Sequence, residues 1–416
     1  MGRFRIVRRG LVAAAVGGGG GTFTPTITSL LQLQNFLSGA APGSVGYVTG
    51  GFDFGSVDMS GSPRKVGSNP IKVVTANPAS KYKFSSTNDA SALNMTNWGG
   101  VTFDGVEFYN PETGIAGANY TLANFTTTSY ITVRNAYTHG AVLPHNTHHN
   151  IGYAMAFDGS DHVLVERSKI TGSRDIGLYL GGVTYSNMLD NFFTDNNSDS
   201  MRPDGRVGGL GAHDINFRRN LEYNPQPQVT FGGNPVYADH SDFVQVYTNV
   251  ALGQVYNLLF DSNMVCCDTD YARGQGLFIG NESSGVPGQP GVDNTVIHDL
   301  TITNNIFMGM LYPAIQLNGC AGTNLVSGNQ IFGQDQASGA AGYGTYPEGG
   351  SPDTRYTYFG SLVTHTNNDG HIVDSGYNTI TQGAGNANTT QSTIITKAQM
   401  ATKMAAFRTA NPNIPN

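Results

Sequence analysis

Two short segments of this chain carry residue types that can move protons. Residues 202–205 read Arg-Pro-Asp-Gly, and residues 240–245 read His-Ser-Asp-Phe-Val-Gln. Asp204 and Asp242 can hold or release a proton, and His240 can orient Asp242 or share a proton with it. Two carboxylates held side by side cannot both ionise freely, so one has a raised pKa. A proton-holding acid beside an ionised carboxylate is the pair that cleaves a glycosidic bond: the acid protonates the leaving oxygen, and its neighbour acts as base or nucleophile. Arg174, Arg202 and Arg273 each offer a planar fork that pairs with a carboxylate or sulfate through two hydrogen bonds. Tyr179 and Phe278 present faces for sugar C–H groups, and Gln245 and Gln316 donate and accept at once. No two of these groups are useful to each other unless a fold brings distant segments together.

Competing explanations exist for each feature. Arg and Asp side chains on adjacent strands also form surface ion-pair ladders of small energetic value. Residues 202–205 also suit an ordinary turn. His145, His148 and His149 (Pro-His-Asn-Thr-His-His-Asn) have no common zinc-ligand spacing and are assigned to a solvated loop, so no metal is expected. His213 and His298 precede strands in similar contexts and are assigned to corners. Phosphate loops, nucleophile elbows and zinc-protease motifs are not found in the sequence.

The elements that must position these groups are strands. Of 416 residues, 55 are glycine, only 12% are charged and 10% are aromatic. So little charge and so many aromatics exclude a disordered chain and a helical bundle. Short apolar runs punctuated by Gly, Asn and Thr indicate an all-β protein. A net charge of −7 argues against nucleic-acid binding. Three cysteines, two of them adjacent (Cys266 and Cys267), cannot form a disulfide framework. No apolar stretch is long enough to span a membrane.

One unit recurs along the chain: an apolar strand, a Gly/Asn turn and a second strand ending in Asn or Gly. Clear copies lie at residues 154–170, 177–193 and 314–332, and a degenerate one at 207–223. Aligning the second strands places Phe103, Val133, Val165, Leu189, Phe217, Phe260, Ile302 and Val326 in one column, at intervals of 24 to 43 residues. A minimum near 24 with irregular insertions is the signature of solenoid coils with variable corner loops. Asn263, Asn305 and Asn329 share a turn position, where Asn tolerates a left-handed backbone and can bond to the coil above. Aligning the first strands sets Phe157, Leu180, Gly208, Val246, Ile279 and Leu317 at one level. By that count Arg174, Arg202, His240 and Arg273 fall in one file, and Asp204 and Asp242 in the next.

At the start, Arg3, Arg5, Arg8 and Arg9 precede a short apolar run at 11–16 and five glycines. This resembles a secretory signal, but the run is short, and an anchoring peptide on a flexible link is preferred. The expected organisation is an anchor and linker at 1–25, a cap and first coils at 26–100, the solenoid at 101–385 and a cap at 386–416. Within the last, Ile395, Met400, Met404 and Phe407 have near-helical spacing after Thr396 as N-cap, giving a helix suited to covering the last open rung.

These repeats, over residues 70–385, resemble those of the pectate-lyase-like right-handed parallel β-helix superfamily, which includes pectin-degrading enzymes and bacteriophage tailspikes. The His-x-Asp-x-x-Gln string at 240–245 resembles strings in β-helix proteins of phages and bacteria. The contiguous signatures of polygalacturonases and pectate lyases are absent. The resemblance implies an all-β, right-handed, single-stranded parallel β-helix with a saccharide groove along one side. The expected function is that of a phage tailspike or tail-fibre protein that binds and hydrolyses acidic host polysaccharide. A virion location or, failing that, secretion is expected, with docking on tail or baseplate proteins through the basic N-terminal peptide; the resemblance implies a homotrimer as in tailspikes, and a monomer on a larger assembly is the alternative. One rival is a polysaccharide lyase, in which calcium or Arg neutralises a uronate. A non-catalytic receptor-binding spike is the other. No cofactor is expected for hydrolysis.

Overall fold

The computed structural model describes residues 25–61, 64–87, 90–111, 120–140, 151–206, 208–224, 230–231, 234–235, 241–248, 252–268, 274–281, 296–310, 314–318, 320, 322–334, 356–360, 363–366, 371–374, 381–382 and 393–416. The anchor at 1–24, His240, Arg273 and the histidines at 145–149 lie outside them.

The chain winds as a right-handed parallel β-helix. Each coil contributes one strand to each of three parallel sheets. Among the described residues, sheet 1 has 13 strands, sheet 2 has 10 and sheet 3 has 11. One complete coil runs from Gly99–Asp104 in sheet 1, through Val106–Tyr109 in sheet 2, to Tyr120–Thr126 in sheet 3. Alternation with period 2 sends every second side chain into the lumen. There, like rings stack from rung to rung: Phe125 on Phe157 at 4.7 Å between centroids, and Phe217 on Phe260 at 4.8 Å. A coil cannot bury its apolar face alone, so the stack is the source of stability.

The corner from sheet 1 to sheet 2 explains the recurrent Asn. Asn191, Asn220, Asn263, Asn305 and Asn329 form a buried ladder in which each Oδ1 accepts from the backbone N–H and Nδ2 of the Asn on the preceding rung. Their bridging role is as expected, but the left-handed backbone is not theirs. It belongs to the residue before each: Asp190, Arg219, Ser262, Asn304 and Gly328. The corner is turned first, and the Asn then locks it.

The sheet 1 column needs one correction. Val165 pairs with Met188, and Met188 with Phe217, so Leu189 sits one place out of the column. Met188 is fully buried and Leu189 is half-buried. The sequence Met-Leu offers two apolar neighbours, and only the alternation selects between them.

Helices occur near both ends. α1 (Leu30–Gly39) is capped by Ser29, whose side chain accepts from the Gln32 N–H. α2 (Lys397–Ala410) begins at Thr396 with a reciprocal capping box to Gln399. Met400 and Phe407 are buried, as their spacing requires. Instead of closing the last rung, α2 lies along the outer face of sheet 2, against a file of apolar side chains: Phe192, Leu221, Met264, Cys266, Met308 and Phe332.

Candidate functional site

Of the groups singled out by chemistry, the described ones lie on the central strands of sheet 3. Its central strands are Ile151–Asp158, Ser173–Gly181, Asp199–Asp204, Ser241–Thr248, Gly274–Asn281 and Ile315–Asn318. Leu180 pairs with Pro203, so Pro203 takes the level expected for Gly208. The shift follows from loop length. The stretch from Leu180 to Met188 is eight residues, whereas from Pro203 to Phe217 it is fourteen, because the corner at 205–211 bulges outward. Reading that corner as strand moved the degenerate copy by five residues.

The correction rearranges the polar files. Arg202 pairs with Tyr179, placing it in the file of Ala156, Tyr179, Gln245, Phe278 and Gln316. It does not stack on Arg174, which lies further back on its strand and forms a two-point ion pair with Asp175 (3.0 and 3.1 Å). Asp204 pairs with Gly181 and Tyr247, so it is not at the level of Asp242. Asp242 pairs with Gln275. The 43-residue offset that sets Met201 beside Val244 and Asp204 beside Tyr247 carries Asp199 to Asp242. The carboxylate pair on adjacent rungs is therefore Asp199 and Asp242. Asp199 was not legible from alternation: counted back from inward Met201 and Pro203 it would face the lumen, and only its 3.6 Å approach to Arg202 sets it on the outer face.

Arg202 organises this face. Its Nε lies 3.0 Å from Asp204 Oδ2, and its Nη1 lies 3.6 Å from Asp199 Oδ2. Burial works against its charge, but Asp204 and then Asp199 outweigh it and hold the guanidinium pKa above its ordinary value. Asp199, Asp204 and Asp242 expose 2%, 6% and 0% of their surface, so their charges act in a poorly solvated setting. Tyr153 stacks on Tyr179 at 5.2 Å. Burial, reinforced by Asp204, pushes the Tyr179 phenol well above its usual pKa and keeps it a hydrogen-bond donor. Gly181 makes room for this ring: a Cβ there would stand 2.7 Å from Tyr179 Oη. Gln275 donates to Gln316 Oε1 at 3.1 Å, continuing the polar face over the next two rungs.

Behind this face lies an unexpected acid. Glu222 occupies a lumen position in sheet 2 between Phe193 and Val265 and is fully buried. Its Oε1 is 2.6 Å from Ser200 Oγ. Burial pushes its pKa up to about 8, the Ser200 bond opposes this, and the nearby Asp242 charge adds to the rise. At neutral pH it therefore holds a proton. Its local signal was the apolar alternation of Leu221-Glu222-Tyr223, which hides a carboxyl on the inward side. Among the described residues, no group of three or more His, Cys, Asp or Glu side chains is placed to hold a metal ion.

No protein-family model and no curated protein matches the chain. Solved structures do. The Dettilon tailspike protein is 14% identical with a TM-score of 0.55, the match covering 90% of this chain and 66% of that one. The catalytic unit of a GH87 α-1,3-glucanase from Streptomyces thermodiastaticus strain HF3-3 is 14% identical with a TM-score of 0.51, covering 92% and 71%. An alginate lyase from Paenibacillus is 15% identical with a TM-score of 0.45, covering 88% and 99%. At these identities the shared property is the fold.

Proposed function

We propose that this chain binds polysaccharide along the outer face of sheet 3 and cleaves it by hydrolysis. The observation that carries the reading is the pair of carboxyl groups on one cation, Asp199 and Asp204 on Arg202, with a third buried carboxyl, Asp242, on the next strand of the sheet. With one positive charge and three acids in a poorly solvated setting, one carboxyl is favoured to keep a proton. Asp199 lies beside the guanidinium and is favoured as the ionised member. In this assignment Asp242 is the general acid on the leaving oxygen and Asp199 the base or nucleophile. Adjacent rungs stand about 4.8 Å apart, close enough for the two to flank one glycosidic bond. Asp204 anchors Arg202. Tyr153 and Tyr179 support a sugar ring, and Gln245 and Gln316 bind hydroxyls. Arg174 keeps a lesser place in the proposal as a group at the margin of the same face, and His240 and Arg273, outside the described residues, stay in it on their sequence positions alone.

The parallel β-helix shared with a tailspike and a glucanase supports a carbohydrate ligand, since both named proteins carry this solenoid. We infer an extracellular setting, on a virion tail or secreted, with tail proteins and a homotrimer as the partners to seek in the first case. Incubation with acidic bacterial exopolysaccharides tests the chemistry. Hydrolysis releases reducing ends without the ultraviolet absorbance of unsaturated uronate, and the lyase rival, with its calcium or Arg, yields both. Asp242→Asn and Asp199→Asn should each abolish cutting while sparing binding. Unchanged turnover in Asp242→Asn refutes the assignment, and binding with no cleavage by the unsubstituted protein favours a non-catalytic spike.

A further inference from the structure

Along the outer face of sheet 1, six rings stand in file and alternate in type: Tyr130, His162, Tyr185, His213, Tyr256 and His298. Four of the five steps are stacked, with interplanar angles of 19°, 30°, 14° and 6°. The step from Tyr185 to His213 is different: the planes meet at 87°, edge to face, with centroids 5.4 Å apart. In an edge-to-face pair one ring uses its rim, so its own face on that side is left uncovered by the ladder. Tyr185 is also 54% exposed, the highest value among the buried and exposed large apolar side chains of this face.

A pocket of about 650 Å³ opens on the His213 side of this step, lined by His213, Tyr256, Leu210, Asp161 and the glycines at 182 and 211, with Tyr185 outside its lining. That volume lies within the range of small-molecule sites. Five glycines line it, so backbone amides and carbonyls approach whatever enters. Each ladder imidazole is held by the adjacent acid: His162 by Asp161 at 2.6 Å, His213 by Asp214 at 2.7 Å, and His298 by Asp299 at 2.8 Å, in each case through Nδ1. A carboxylate on Nδ1 fixes a proton there and leaves Nε2 as the ring nitrogen open to a ligand. Ring faces, an imidazole nitrogen and a phenol on one wall are complementary to a sugar, whose C–H face stacks and whose hydroxyls both donate and accept. The neighbouring carboxylates disfavour a polyanion. The pocket begins where the sheet 3 face ends: Gly159 and Gly182 follow Asp158 and Gly181 directly, and Arg206 ties the two regions by its 2.9 Å pair with Asp158.

We propose that this corner pocket is a second carbohydrate site, which takes neutral, hydroxyl-rich sugar residues of a glycan chain running round the corner from sheet 3. The class of ligand rests on the reading above; the location rests on the break in the ladder. The test is an array of bacterial surface and plant-wall polysaccharides probed with the unsubstituted protein, with Tyr256→Ala/His213→Ala, with His213→Ala alone, and with Tyr179→Ala on the sheet 3 face. Melting curves verify that each variant is folded. The expected result is at least one polysaccharide whose retention falls about tenfold or more in the double variant, less in His213→Ala, and that is still captured by Tyr179→Ala. If the double variant binds as the unsubstituted protein does while Tyr179→Ala loses binding, the second site is overturned and the sheet 3 reading stands. If the unsubstituted protein captures nothing, both fall.

Discussion

Glu222 offers the sharpest numerical check on the structure. A glutamate in the unfolded chain ionises near 4.5, whereas burial in the lumen raises this one to about 8. Between those values the folded protein keeps a proton that the unfolded chain has lost. The unfolded state then binds fewer protons, so stability falls as pH rises. Each pH unit is worth about 1.4 kcal/mol, and an interval of roughly 3.5 units gives a loss of about 5 kcal/mol from this one group. Glu222→Gln keeps the shape and the bond to Ser200 but cannot ionise. Near pH 4.5 the variant and the unsubstituted protein should therefore have similar stability, and the variant should gain progressively until pH 8. Urea denaturation followed by far-ultraviolet circular dichroism at half-unit steps from pH 4.5 to 8.5 measures the difference. A gap that stays flat across that range would mean that Glu222 is solvated or paired, and the placement of its carboxyl in the lumen would be wrong.

Three further outcomes are expected. Gly181→Ala would press a methyl group against the Tyr179 ring, 2.7 Å from its Oη, and should weaken glycan binding up to about tenfold with little change in melting temperature, as titration against immobilised polysaccharide would show. Asn263→Ala removes the Oδ1 that accepts from Asn220 and the Nδ2 that donates to Phe217 O and Asn305 Oδ1, at a cost of about 3 kcal/mol in denaturant unfolding. An effect under about 0.5 kcal/mol would show that the ladder does not stabilise the corner. All three cysteines are buried, and burial, helped by Asp268, pushes the Cys266 thiol up to about 12. Ellman's reagent at pH 8 should label none of them in the folded protein and all three in denaturant.

The solenoid was legible because its physics is local and repeated. Strand alternation, two-residue corners and the Asn that closes them recur often enough to align by eye, and Phe103, Val133 and Val165, or Phe217, Phe260 and Ile302, pair as their spacing indicates. Register failed where two apolar residues adjoin, at Met188 and Leu189, and where a corner of unusual length resembles a strand, at 205–211. The second failure mattered more, because it moved Arg202 and Asp204 by several places and concealed Asp199. The site could not be read more finely from sequence, since the pairing of Asp199 with Asp242 depends on an offset of 43 residues fixed by backbone hydrogen bonds. Glu222 and the ring ladder were missed for different reasons. An inward acid violates the pattern used to find inward positions, and an alternating Tyr/His file is invisible until rungs are stacked. The helix at the C-terminal end was legible from its cap and spacing, but its seat was not, because the sheet 2 surface that receives it is scattered over residues 192–332.

That seat has a consequence for how the protein matures. The apolar file on sheet 2, from Phe192 to Phe332, is laid down coil by coil, yet the segment that shelters it, residues 395–414, emerges from the ribosome only after every one of those coils. Until then a half-built solenoid shows the cell a continuous greasy flank as well as a growing edge of unpaired strands. Burial of that flank thus waits on residues 395–414, in which α2 supplies Met400 and Phe407 to cover it.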